Sequence, residues 1–361
     1  MEPDNPDRSI LTFSQHTVDS PMTHLALDYH GDRVFRPRFY EPAEPGPGQV
    51  SIAVAFTGIC GTDLKIAHGA MDHRVTSPWP IGHEMSGTID AIGSGVTDWQ
   101  PGDKVTVMPL DWCGDCPACR AGHSHVCQNL VFLGIDSPGS LQQRWIVPAG
   151  VLVRIPDQLS LEQAALTEPC AVAVHDVRRG GVRALDQVVV IGGGPIGILI
   201  ALVASHAGAD VLVSEVSPFR RNLATELGLR NIDPATEDLT STVSAWSDGK
   251  GADVAFEVSG SAAGVQALTD VLAVRGHGVV VAIHTEPTPV DLMAAFWKEL
   301  DISGARVYQR QDFEEAVALL AGGVIPAQSL ITDIVPLSQA DRAFERIASG
   351  GEVVKVMIDS R

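Results

Sequence analysis

Val188-Val189-Val190-Ile191-Gly192-Gly193-Gly194-Pro195-Ile196-Gly197 decides the fold. The β-branched run reads as a buried strand. The glycines then spell G-x-G-x-x-G, and the apolar stretch after Pro195 reads as a helix. Gly192 permits a tight turn, Gly194 lets the backbone approach a pyrophosphate, and Gly197 lets the helix pack closely on the strand. Pro195 and Ile196 open the helix, whose unpaired N–H groups and positive dipole end face the phosphates. Gln187 to Ala209 holds no Lys, Arg, Asp or Glu, which raises a membrane span as the competing reading. Gly192, Gly193, Gly194, Pro195 and Gly197 cut that stretch in two and argue against it.

The next acid is Glu215, 18 residues beyond Gly197, at the end of an expected strand Asp210–Glu215. A carboxylate there takes the adenosine ribose hydroxyls and repels a 2′-phosphate, so NAD is expected over NADP. Arg220 and Arg221 pull the other way, because a nearby arginine accepts that phosphate. Their bland reading is a solvated helix face, and Arg220 is kept among the cofactor-binding candidates.

Strand-like and helix-like runs alternate on both sides of this unit. Helices are expected at about Pro195–Ala207 and Pro218–Leu227, ended by Gly208 and Gly228. Asp253–Val258, a helix near Ala262–Val274 and a strand Gly278–Ile283 follow. That alternation means a doubly wound parallel sheet with helices on both faces. Before residue 160 the apolar runs are short and broken by Gly and Pro, which predicts a barrel-like β domain. After Ala305 two capped helices are expected, one started by Asp312 with Glu315 and ended by Gly322 and Gly323, one started by Ser338 with Asp341. A final strand, Glu352–Ile358, closes the chain. The expected divisions are a loose extension over 1–21, a β domain over 22–165, a nucleotide domain over 166–305 and a C-terminal segment over 306–361.

The chain has 361 residues, 45% hydrophobic and 19% charged, which suits about two globular domains. Lys and Arg total 25 and Asp and Glu 44, a net charge of −19. That surface excludes nucleic acid and an anionic membrane as the main partner. The acidic N-terminus has no basic-then-apolar leader, so a cytoplasmic location is expected.

Four of the six cysteines, Cys113, Cys116, Cys119 and Cys127, lie at spacings x2, x2 and x7. Clustering of this kind reads as metal binding in a reducing compartment. Four thiolates close a tetrahedral shell around Zn²⁺ with no open position. The rival is an iron–sulfur cluster, but the bacterial ferredoxin pattern places its fourth Cys four positions on, followed by Pro; here it is eight on, followed by Gln128. A second group is dispersed: Cys60 in Gly58-Ile59-Cys60-Gly61-Thr62-Asp63, His83 and Glu84 in Gly82-His83-Glu84-Met85-Ser86-Gly87, and Glu168 in Thr167-Glu168-Pro169-Cys170. Each alone reads as a core or surface residue. Together they supply a thiolate, an imidazole and carboxylates, which suits zinc with an exchangeable position.

With those residues in place the chain resembles the zinc-dependent medium-chain alcohol dehydrogenases, polyol (sorbitol, butanediol) branch. Residues 82–96 match the signature G-H-E-x-x-G-x5-G-x-x-V, ending at Gly93 and Val96. The Cys-Gly-Thr-Asp run, the four-cysteine lobe, the Glu-Pro step and the GGGPIG turn follow in the family's order. The resemblance covers about Leu25 to Ile358. It implies a GroES-like β-barrel catalytic domain, completed by the C-terminal segment, and an inserted Rossmann domain, with cofactor and zinc in the cleft between. It implies Cys60, His83 and Glu168 as catalytic zinc ligands, Glu84 as ligand or neighbour, Asp63 orienting His83, and Thr62 holding the substrate hydroxyl. It implies one catalytic and one structural zinc, NAD, a small alcohol, polyol or sugar substrate oxidised to the ketone, and a homodimer or homotetramer. The alternatives are a sugar or threonine-type amino-alcohol dehydrogenase, a zinc-free reductase on the same fold, and a non-enzymatic nucleotide sensor. Cys170 competes with Glu168 as a ligand, since thiolate is the softer donor, and otherwise reads as a buried apolar residue. Lys65 stands where many relatives carry a proton-relay histidine, and His68 is close but out of register. A lysine with an ordinary pKa near ~10.4 is not expected to be an essential base. His284 carries no reading beyond that of an ordinary histidine.

Overall fold

The computed structural model describes residues 24–75, 78–350 and 352–361. The expected loose extension over 1–21 lies outside them. The chain divides into two compact units: one runs to Glu168 and resumes over Ala327–Arg361, the other is Pro169–Pro326.

The first unit is built on a seven-stranded sheet. Its path runs Leu152–Arg154, Lys104–Val107, Glu84–Ile92, Gln49–Gly58, Lys355–Asp359, Ile331–Pro336, and Arg144–Pro148 pairs with Gln49–Gly58. Pairing is antiparallel except between the last two strands of that path. Val50, Ile52, Val54, Met85, Val105, Val107, Trp145 and Val147 are buried together between its curled faces. Gly87 allows the two central strands to close up, since a Cβ there would strike the Ala53 carbonyl. The final strand enters this sheet beside Gln49–Gly58, with Met357 opposite Gly58. The C-terminal segment thus completes the β unit.

The second unit is a six-stranded parallel sheet. Its order is Arg230–Ile232, Asp210–Ser214, Gln187–Ile191, Ala252–Glu257, Leu272–Val280, Asp301–Gly304. The first strand in sequence lies in the middle, so the winding reverses there. Val189, Ile191, Leu212, Ala255, Leu268 and Leu272 pack into one core.

Three local readings shift. The strand expected at Gly278–Ile283 is Leu272–Val280, and the helix before it ends at Val271. Arg275 at φ 61° and Gly276 interrupt that strand's apolar pattern, so the sequence displays only its second half. Asp312 is not the cap of its helix. Gln309 caps Arg310–Ala321, and Asp312 accepts from Gln309 N at 2.7 Å. The cap of Ala340–Ala348 is Gln339, and Ser338 lies in the preceding 3₁₀ turn. The nucleotide unit extends to Pro326, against the expected 305, because buried Asp312 binds His175 Nδ1 at 2.9 Å and Arg178 Nη1 at 2.6 Å on the helix Thr167–Gly180.

Candidate active site

All six cysteines are unbridged. Cys113, Cys116, Cys119 and Cys127 bring their sulfurs within 4.8 Å of one another. Cys116 caps the short helix Pro117–Arg120, which places Cys119 one turn on. Backbone N–H groups point at the sulfurs: Cys116 N at Cys113 Sγ (3.4 Å), Gln128 N at Cys116 Sγ (3.4 Å) and Asn129 N at Cys127 Sγ (3.3 Å). Such donors pull the Cys113 thiol down to about 6, those of Asp115 and Cys116 most strongly. Four converging sulfurs with amide donors behind them fit a closed tetrahedral Zn²⁺ shell.

The second cluster is Cys60, His83 and Glu84, whose ligand atoms also lie within 4.8 Å of one another. Cys60 ends the approach to the helix Gly61–Ala67 and caps it, accepting from Thr62 N. His83 and Glu84 come from the start of Glu84–Ile92, in the register that puts Glu84 opposite Gly58. Asp63, fully buried, accepts Cys60 N at 2.8 Å through one oxygen and lies 3.7 Å from His83 Nδ1 through the other. Phe132 packs its ring edge-on to His83 at 5.2 Å. Burial lowers the His83 pKa, yet Asp63, Cys60 and Glu168 override it and hold the imidazole up at about 10. A buried imidazole with a thiol and carboxyls gathered around it fits a cation.

Glu168 is buried, and it raises the pKa of both His83 and Lys355, but it stands outside the compact three-residue group. Glu84 has a partner that the sequence did not announce. Lys355, only 4% exposed, places its ammonium 2.8 and 2.6 Å from the two Glu84 oxygens and 3.2 Å from Ile59 O. The sole sequence signal is a lysine directly ahead of the apolar run Val356-Met357-Ile358 in the final strand. Cys170 is fully buried in the other unit, and burial pushes its thiol up to about 12. That is the apolar reading of Cys170. His68 is exposed and ties its ring nitrogen to Leu64 O at 2.7 Å.

In the nucleotide unit the glycine turn has the predicted form. Gly192 has φ 108°, Gly194 caps the helix Pro195–His206 with Arg220 Nη1 3.8 Å from where a Cβ would stand, and a Cβ on Gly197 would overlap the Gly192 carbonyl. Ile196 follows Pro195 in the first turn. Glu215 bridges the turn and the strand end, accepting from Gly193 N and Ser217 N at 2.7 Å each. Arg220 Nη1 lies 3.7 Å from Glu215. Arg221 is occupied by the Glu215 and Val216 carbonyls and by Asp233.

Two family models match, the alcohol dehydrogenase GroES-like domain over residues 46–157 and the zinc-binding dehydrogenase over 195–322. The chain is 46% identical over 335 residues to 2-dehydro-3-deoxy-L-galactonate 5-dehydrogenase of Pseudoalteromonas atlantica, covering 93% of this chain and 98% of the relative. The chain belongs to the medium-chain zinc-binding dehydrogenases. It is also 33% identical to sorbitol dehydrogenase of Halalkalibacterium halodurans, over 93% of this chain and 99% of that one. The crystal structure of 2R,3R-butanediol dehydrogenase from Bacillus subtilis superposes with a TM-score of 0.86 at 30% identity, over 93% and 99% of the two chains. As a zinc-dependent NAD(P) dehydrogenase, the chain combines a GroES-like unit with a Rossmann sheet. Among the described residues no helix is long and apolar enough to cross a membrane.

Proposed function

We propose that this dehydrogenase oxidises a secondary carbinol of an acyclic sugar acid or polyol to the ketone, with NAD preferred over NADP. The Cys60–His83–Glu84 cluster carries the reading, because its one thiolate and one imidazole, unlike the four-cysteine lobe, leave room for a carboxylate ligand and for substrate. Identity of 46% to a sugar-acid dehydrogenase supports the substrate class. Glu215, already aimed into the glycine turn, supports NAD.

In this reading Cys60, His83 and Glu168 hold the catalytic zinc, and the four cysteines hold the structural one. Zinc supplies Lewis acidity toward the carbinol oxygen, and NAD supplies the hydride acceptor. Asp63 fixes the His83 ring from behind. Lys355 neutralises Glu84 and holds it as a neighbour of the metal, which leaves Glu168 to complete the protein ligands. Thr62, in the first turn of the helix that Cys60 caps, holds the substrate hydroxyl and moves its proton. Gly192, Gly194, Pro195, Ile196 and Gly197 cradle the pyrophosphate, and Arg220 lies beside the adenosine ribose.

A homodimer is the assembly we favour over a tetramer. Asp301–Gly304 is the open edge of the parallel sheet, and Leu292, Met293, Phe296 and Trp297 stand exposed on the preceding helix. A second copy would cover both, and light scattering reads the mass directly. The deciding assay for function is a panel of sugar acids, sorbitol, butanediol and threonine with each cofactor. Activity led by threonine, or a higher kcat/KM with NADP, would overturn the substrate or the cofactor assignment.

A further inference from the structure

We propose that His284, held by Glu257, is a cofactor-binding residue that seats the nicotinamide half of the dinucleotide. The inference rests on the dehydrogenase reading above. A dinucleotide lies across the carboxyl ends of a doubly wound sheet at the point where the winding reverses. Here that point is between Gln187–Ile191 and Ala252–Glu257. Glu215, just beyond Asp210–Ser214, marks the adenosine side. The other half therefore falls over the carboxyl ends of Ala252–Glu257 and Leu272–Val280.

A carboxylate–imidazole pair stands at those ends. Glu257 is completely buried. Its Oε1 accepts from Ser259 N (2.9 Å), Ser259 Oγ (2.6 Å) and Gly260 N (2.9 Å). Its Oε2 lies 3.0 Å from His284 Nε2. Facing a carboxylate, Nε2 must be the donor, and in the neutral imidazole Nδ1 then presents a lone pair. Among the described residues the one group bonded to Nδ1 is Thr288 Oγ1, at 3.4 Å. That hydroxyl also reaches Glu286 O at 3.3 Å, and its single hydrogen serves one acceptor at a time. Glu257 thus fixes one tautomer whose acceptor nitrogen is incompletely satisfied. His284 keeps 16% of its side-chain surface open, and Ile283 beside it is 73% exposed. A ribose hydroxyl or the carboxamide NH₂ of the nicotinamide half is the donor this nitrogen lacks, and the ring can lie against Ile283.

The test measures NADH by fluorescence titration and ADP by calorimetry on wild type, His284→Ala and His284→Gln. ADP reaches only the adenosine side. His284→Ala should weaken NADH about 10-fold and leave ADP within about 2-fold, the loss expected of one hydrogen bond. His284→Gln, which still reaches Glu257, should fall between. Unchanged NADH binding in His284→Ala overturns the inference. Equal losses for NADH and ADP overturn it too, since they mark general damage to the sheet. A wild type that binds neither NADH nor NADPH overturns the dehydrogenase reading, and this inference with it.

Discussion

The four-cysteine lobe and the Cys60 cluster sit in one unit and are suited to one metal, yet they are built in opposite ways. The lobe draws its donors from Cys113 to Cys127, so a short loop and a one-turn helix suffice to assemble it. The other cluster collects Cys60, His83 and Glu84 at the ends of two neighbouring strands, then leans on Glu168 and on Lys355, 271 residues from Glu84. Four soft donors saturate a metal and lend only folding energy. A mixed set of neutral, thiolate and carboxylate donors leaves a coordination position and a net charge to be used. The difference between structural and reactive metal chemistry here lies in how far apart in sequence the ligands are gathered.

The sharpest way to break that contrast is a matched pair. Cys60→Ala should lose one of two zinc ions and at least about 10³-fold in kcat, while the melting temperature stays near that of wild type. Cys116→Ser should lose the other zinc and more than about 2 kcal/mol of stability, while the folded fraction keeps its kcat. Elemental analysis, kinetics and denaturation read both. The same outcome for both variants would erase the distinction, and stoichiometric iron would contradict zinc altogether.

Next comes the ion pair behind the open site. Lys355→Met leaves Glu84 buried without its counter-charge and should cost about 3–5 kcal/mol in urea unfolding. Adding Glu84→Gln should recover much of that. A double variant as unstable as the sum of the singles would mean that the two groups do not interact.

A smaller effect decides the third ligand. Glu168→Ala should lose one zinc and about 10²-fold in kcat, whereas Cys170→Ala, in a packed apolar setting, should keep both zinc ions. The reverse pattern would hand the position to Cys170.

The smallest effect lies far from either metal. Asp176 is 1% exposed, and neither of its oxygens has a hydrogen-bond partner among the described residues. Burial, reinforced by Asp312, raises its pKa well above its ordinary value. A carboxyl whose folded pKa exceeds its unfolded one favours folding below the unfolded value, and that contribution is lost as pH rises toward the folded one. Asp176→Asn should therefore flatten a decline in stability that begins at about pH 4 and continues as pH rises. Parallel urea melts of variant and wild type, unchanged in their offset from pH 4 to pH 8, would refute it.

Much of the nucleotide unit was legible because its signals are local. Gly192, Gly194 and Gly197 each answer to one steric demand within six residues, and Glu215 follows at a fixed distance. The lobe was legible for the same reason. Cys60, His83 and Glu84 required the family's pattern, since nothing in Gly82-His83-Glu84 says that it will face Gly58-Ile59-Cys60. Lys355 and the Glu257–His284 pair were missed because pairing across strands leaves no trace in either partner's neighbourhood. The reach of the nucleotide unit to Pro326 was hidden in the same way, by Asp312 meeting His175 and Glu315 meeting Arg178, each across 137 residues.

The bond between Lys355 and Glu84 also orders events in time. A ribosome emits Cys60, His83 and Glu84 long before it reaches residue 355, and the entire nucleotide unit must emerge in between. Until then the early strands hold an acid destined for a dry interior with no cation to meet it, and the sheet lacks the strand that flanks Gln49–Gly58. The unit that appears first during synthesis is therefore the one that finishes last. The nucleotide unit, continuous in the chain, can fold to completion while its older neighbour still waits for its final strand.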